Sequence, residues 1–207
     1  MVLHPQDKAF ILLTAIFIAG LVIASVLASK IIMVFRLAVP AGVIAYSITF
    51  VTTDVISEIW GKVRANWVVF SGFIAMIVVV FLVQVAIHLP SAPFWPHQNA
   101  FNTILNSTTR IIFASVIAYL VSQFHDVWMF HFWKRRTQSR HLWLRNNLST
   151  IGSQLLDTVI FIFIAFYGVM PIWPLVWGQF VVKLGIALLD TPVVYGVVAW
   201  VRKVSIN

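Results

Sequence analysis

Two polar phrases stand out in an apolar chain. "SQFHDVWMF" occupies 122–130 and "SQLLDTVIF" occupies 153–161, so Ser-Gln-x-x-Asp-x-x-x-Phe is written twice, 31 residues apart. Asp54 and Glu58 lie four residues apart, and Lys183 and Asp190 seven apart, each pair on one face of a helix. Carboxylates accept N–H donors, glutamine both donates and accepts, and an ammonium group balances surplus acid. These are tools for holding a polar ligand. The chain has no P-loop, nucleophile elbow or zinc motif, its six histidines show no ligand spacing, and it has no cysteine. No enzyme, metal centre or cofactor is expected.

The elements that carry these residues follow from composition. Only 10% of the 207 residues are charged, 61% are hydrophobic and the mean hydropathy is +0.96. Soluble domains carry about 25% charged residues, so lipid is the expected solvent. One domain, 1–207, of six membrane-spanning helices is expected: 9–28, 37–57, 67–87, 109–129, 148–169 and 173–200. Alternation of the membrane-barrel kind is absent, so the fold class is an all-α integral membrane protein. The first segment has a longer apolar run than a signal peptide and is read as a span.

With six spans, one side collects Lys8, Lys62, Arg64, Lys134, Arg135, Arg136, Arg140, Arg145, Arg202 and Lys203, and the other only Lys30 and Arg36. That asymmetry predicts both termini in the cytoplasm. It also explains the net charge of +8 without nucleic acid. The connection 89–107 contains three prolines and is not helical throughout; it either caps a vestibule or merely connects.

Ionisable groups inside a membrane cost at least about 2.5 kcal/mol each and face the bundle interior. Ala114, Ala118, Ser122 and Asp126 recur every four residues, as do Ser149, Ser153 and Asp157. Each helix thus bears a stripe of small residues ending in a carboxylate. The repeat either builds two walls of one site or bonds helix to helix; for Asp157 the burial cost favours a site. Glu58 suits a solvated helix end better than Asp54 does. Lys183 requires a carboxylate partner, Asp157 or Asp190. Pro192 is expected to weaken or kink the last helix. Gly20, Ala24 and Ala28 read as a packing stripe.

Four stretches together, "VPAGVIAYSITFVTTDVISEIWGKVRA", "RIIFASVIAYLVSQFHDVWMF", "LRNNLSTIGSQLLDTVIFIFIAF" and "VVKLGIALLDTPVVYG", resemble the queuosine precursor transporter family, also called the vitamin uptake transporter-like family. The resemblance implies a six-helix importer of the bacterial inner membrane. Its cargo would be 7-cyano-7-deazaguanine, 7-aminomethyl-7-deazaguanine or queuine, precursors of a modified base of transfer RNA. Asp54, Glu58, Arg110, Ser149, Thr150, Gln154, Asp157 and Lys183 match the family's polar positions. Ser25, Ser47 and Trp60 stand where Asn, Pro and Tyr are common. On this reading Asp157 and Gln154 meet the guanine-like edge, Asp54, Lys183 and Asp190 complete the charge balance, and Trp60 or a phenylalanine stacks on the ring. The alternative is the substrate-binding subunit of an energy-coupling-factor vitamin transporter. A homodimer is weakly favoured, and an ATPase partner is left open.

Overall fold

A computed structural model describes residues 4–27, 30–34, 37–105, 109–138, 140–168 and 172–204. Seven helices account for nearly all of them: α1 (Pro5–Leu27), α2 (Gly42–Trp60), α3 (Lys62–His88), α4 (Gln98–Leu105), α5 (Thr109–Arg136), α6 (Leu142–Phe166) and α7 (Ile172–Val204). Five of these, α1, α2, α3, α6 and α7, are long and apolar enough to cross a membrane. The remaining expected span, 109–129, lies on α5, which is not among these five. α5, with 28 residues, is about 42 Å long at 1.5 Å per residue. Its hydropathy is diluted by Ser122, Gln123 and Asp126, all of them buried, and by basic residues at its end.

The stretch 37–57 was expected to be one helix, and its start is not helical. β1 (Ile31–Val34) and β2 (Leu37–Pro40) form an antiparallel hairpin with Ile31 opposite Pro40 and Val34 opposite Leu37. A backbone bond from Ala41 N to Lys30 O (2.7 Å) closes its base. Ile32 and Val34 pack inward while Met33 points out, the two-residue alternation of a strand. The inward face joins Val39 and Val43 against Val182 and Ile186 of α7. The hairpin so covers the bundle at the end where α2 and α7 begin.

α2 is the most buried helix and contacts α1, α3, α5 and α7. Its abundance of Ser and Thr is compatible with that position because their hydroxyls bond back to the helix. Thr49, Thr52 and Thr53 donate to carbonyls three or four residues earlier, at 2.6–3.0 Å. An apolar core of Phe17, Leu21, Val55, Ile56, Val69 and Tyr119 binds α1, α2, α3 and α5. The lipid-compatible outer faces carry Trp67, Phe81 and Leu82 on α3 and Trp173, Trp177, Leu188 and Leu189 on α7, all exposed.

The 89–107 connection contains α4, which packs on the end of α3; Gln98 Nε2 donates to Ile87 O at 3.2 Å. α7 runs through Pro192 without interruption, although the proline has no N–H to offer the carbonyl of Leu188. Gly20 and Ala24 are buried, and a Cβ on Gly20 would sit 3.2 Å from Ala45 O, so the stripe on α1 does serve packing. Ala28 lies outside the described residues.

Gly72 makes the tightest approach. A Cβ there would collide with the Tyr119 hydroxyl and with Phe17 at 2.6 Å. That hydroxyl donates to Val69 O at 2.7 Å. Gly72→Val should therefore lower stability by about 1–3 kcal/mol, visible as a fall in melting temperature in detergent. Gly196→Ala, with open space around it, should leave the melting temperature unchanged.

Candidate functional site

The stripes on α5 and α6 bring the two repeated phrases together. Ala114, Ala118, Ser122 and Asp126 of α5 and Ser149, Ser153 and Asp157 of α6 are all buried. Small side chains permit the close antiparallel approach of these helices. The phrases meet crosswise. Ser122 of the first donates to Asp157 Oδ1 of the second at 3.1 Å, while Ser153 of the second lies beside Asp126 of the first.

Asp157 is the centre of the first polar layer. Lys183 Nζ of α7 reaches its Oδ2 at 2.6 Å. The Tyr46 hydroxyl of α2 donates to Oδ1 at 2.9 Å. The lysine nitrogen also lies 5.5 Å from the centre of the Tyr46 ring, within the range of a cation–π contact. All four helices α2, α5, α6 and α7 contribute, and three donors satisfy one carboxylate. A crevice too narrow for a water molecule lies beside the pair, lined by Val43, Tyr46, Ser47, Gln154, Lys183 and Ile186. Gln154 is buried there with its Oε1 unpartnered.

A second layer lies closer to the end that bears the basic clusters, here the basic end. Asp54 of α2 faces Asp126 of α5, and Thr150 of α6 donates to Asp54 Oδ2 at 3.3 Å. Gln123 Nε2 donates to Thr49 Oγ1 at 3.0 Å, tying α5 to α2. Asp190 of α7 is partly buried and close enough to act electrostatically on Asp54.

The third layer closes the basic end. Glu58 accepts Arg145 at 2.6 Å, Arg202 at 2.8 Å and Lys134 at 3.0 Å, so α6, α7 and α5 are all tied to α2. Arg145 is almost wholly buried and also lies 5.5 Å over the Phe130 ring. Its NH1 donates to Arg140 O at 3.3 Å. The repulsion expected between Asp54 and Glu58 is relieved because Glu58 is neutralised from three directions. Glu58 is not the solvated helix end that its position suggests; its side chain is 5% exposed.

Of the expected site residues, Gln154, Asp157 and Lys183 thus share one layer, with Asp54 and Asp190 in the next and Glu58 in the last. Trp60 is elsewhere. It packs edge-on against Phe10 of α1, with ring centres 5.4 Å apart, and lies 14 residues along α2 from Tyr46, about 21 Å at helical rise. The side chain of Arg110 lies outside the described residues. Ser25 bonds its own helix at Val22 O (2.7 Å). Sequence reasoning missed Tyr46 and the role of Ser122 as a donor to Asp157. Tyr46 sits four residues before the buried Phe50 on the inward face of α2, and that periodicity was the available signal.

A multi-pass helical bundle with a polar interior column, built around a carboxylate–lysine pair and a cleft, belongs to the class of membrane transporters. Comparison with known families agrees. The model described as "Putative vitamin uptake transporter" matches residues 40–197, and the chain belongs to that family. Its members are transporters, not enzymes. The chain is 32% identical over 170 residues to the "Probable queuosine precursor transporter" of Bacillus subtilis (strain 168), covering 80% of this chain and 74% of that protein. It is 29% identical over 126 residues to the "Queuosine precursor transporter" of Escherichia coli (strain K12), covering 61% of this chain and 54% of that one. No solved structure matches the chain.

The three cations on Glu58 differ in burial, with side-chain exposures of 1% for Arg145, 22% for Lys134 and 62% for Arg202. Their removal should rank accordingly. Glu58→Gln strands a buried guanidinium and should cost about 3–5 kcal/mol, whereas Arg202→Ala should cost no more than about 1 kcal/mol. Melting temperatures of the purified variants test this ranking.

Proposed function

We propose that the chain imports queuosine precursors, 7-cyano-7-deazaguanine, 7-aminomethyl-7-deazaguanine or the base queuine, across the bacterial inner membrane. The observation that carries this reading is the layer of Asp157, Gln154, Tyr46 and Lys183 around one cleft. The names of the two relatives support the cargo class.

A guanine-like edge presents N–H donors at N1 and the 2-amino group and an acceptor at O6. Asp157 is suited to the donors because two of its present partners, the Tyr46 and Ser122 hydroxyls, are neutral and replaceable. Exchanging a hydroxyl for an N–H leaves the carboxylate satisfied throughout. Lys183 remains as counter-charge and donor to a ring oxygen. Gln154 has an unpartnered acceptor facing the same space. Tyr46 supplies an aromatic face where Lys183 now lies, and stacking on a base contributes about 1–3 kcal/mol. The stacking role considered for Trp60 passes to Tyr46. Asp54 and Asp190 lie deeper and contribute charge. The cleft must widen to admit the ring, by movement of α7 or of the hairpin that packs on Val43 and Ile186 beside it.

α5 serves as the sixth span in this reading. Its Ser122, Asp126 and Lys134 side chains face Asp157, Asp54 and Glu58 instead of lipid. Both termini and the basic end are then cytoplasmic. Native cysteine is absent, which makes single-cysteine labelling unambiguous. An impermeant maleimide applied to intact cells should label Ser91→Cys and spare Arg140→Cys until the membrane is opened; the reverse pattern refutes this orientation.

Uptake of labelled 7-aminomethyl-7-deazaguanine into cells unable to make it tests the function. Asp157→Asn should lower uptake roughly 10- to 100-fold, the worth of a hydrogen bond to a charged group, at equal membrane abundance. Uptake equal to wild type would remove Asp157 from the site. Uptake by purified protein in vesicles without an ATPase would eliminate the energy-coupling-factor subunit reading.

A further inference from the structure

We propose that the Asp54–Asp126 carboxylate pair is a proton-binding site that moves one proton inward with each cargo molecule. This rests on the transport reading above and adds its energy source. Asp54 and Asp126 are 1% and 0% exposed, and they face one another across the α2–α5 contact. Among the described residues, Thr150 donates to Asp54 Oδ2 at 3.3 Å. Asp54 Oδ1 and both oxygens of Asp126 have no partner in direct hydrogen-bonding geometry among the described residues.

The nearest donors among the described residues have other partners. Ser149 and Ser153 lie beside Asp126, yet they donate to Asn146 O at 3.1 Å and to Ser149 O at 2.8 Å. His125 of α5 meets Ser153 at 3.0 Å. Lys183 of α7 is held by Asp157 at 2.6 Å. Lys134 of α5, Arg145 of α6 and Arg202 of α7 are all drawn to Glu58, one turn beyond Asp54 on α2. The remaining charged group near the pair, Asp190 of α7, is another acid.

Two adjacent carboxylates without a counter-cation cannot both stay ionised in a low-dielectric interior. One proton shared between them supplies the missing donor and removes one of the two charges. The site also lacks a metal-binding donor set: among the described residues, no group of three or more His, Cys, Asp or Glu is placed to hold a metal ion. The location suits coupling. Asp126 lies one turn from Ser122 on α5, and Ser122 is bonded to Asp157. A cargo that displaces Ser122 from Asp157 shifts α5 against α2 and changes the separation of the two carboxylates. The proton enters while the pair is close and leaves when the pair separates toward the basic end.

The test uses the full-length protein in vesicles with a trapped pH dye, the membrane potential held at zero and neutral 7-cyano-7-deazaguanine as cargo. Because this cargo is uncharged, any proton entry belongs to the protein. With the outside one pH unit more acid, one-to-one coupling gives accumulation of about tenfold and acidification of the lumen on cargo addition. Asp126→Asn and Asp54→Asn should abolish both, with elution profiles in detergent matching wild type. The wild-type measurement stands alone if a variant does not fold. Wild-type net uptake of cargo without proton entry, or accumulation that follows a sodium gradient, overturns this inference and leaves the transport reading intact. Absence of cargo exchange by the wild type overturns both.

Discussion

A lysine in the middle of a lipid-embedded bundle constrains everything around it. Lys183 cannot stay charged in that position without an anion in contact, and Asp157 at 2.6 Å is that anion. The contact sets the depth of α6 against α7. The second oxygen of Asp157 then needs donors, and Tyr46 and Ser122 supply them, which sets α2 and α5 against the same point. One ion pair thereby fixes the relative register of four helices, a task that apolar packing against lipid-like neighbours performs poorly.

The same constraint explains the repeated phrase. Antiparallel helices bearing the same Ser–Asp spacing can place each serine near the other's aspartate. The chain does this, with Ser122 bonded to Asp157 and Ser153 beside Asp126. The two ends of the exchange nonetheless differ. Asp157 receives an ammonium and two hydroxyls, whereas Asp126 faces another acid. The difference comes from the surrounding helices, because α7 offers Lys183 at one level and Asp190 at the other.

Sequence patterns reached what is local. Helical stripes of small residues on α5 and α6 are buried as their spacing requires, and the cost of an unpaired charge correctly demanded a carboxylate for Lys183. The choice between Asp157 and Asp190 was beyond periodicity, since both lie on helix faces that could meet it. Glu58 shows the limit most clearly. Read alone, it is a polar residue near a helix end; its partners Lys134, Arg145 and Arg202 are 76, 87 and 144 residues away, and no local rule pairs them. The hairpin was hidden for a related reason. Apolar residues that feed a span and apolar residues that form a short covered strand look alike over four positions. Tyr46 was overlooked because a single tyrosine in an apolar run has an unremarkable composition, and its value arises only from the aspartate and lysine that tertiary structure brings to it.

The layers also differ in how readily they can be parted. At the cleft, Asp157 can lose its two hydroxyl partners to another donor while its ion pair persists, so the exchange leaves no buried charge unpaired. At the basic end, separating Arg145 from Glu58 would strand a buried guanidinium, a costly event in a lipid-embedded bundle. Arg202 is mostly exposed, and its loss can be made good by water. Among the ion pairs of Glu58, the weak link is thus the one to α7 and the strong one that to α6. Pro192 lies on the weak side, ten residues before Arg202, where the carbonyl of Leu188 lacks its helical donor. Apolar packing works the other way, because Val194, Val198 and Val201 in the last third of α7 are buried in the core with Val55 and Ile56 of α2, so burial and not the Arg202 ion pair holds that segment in place.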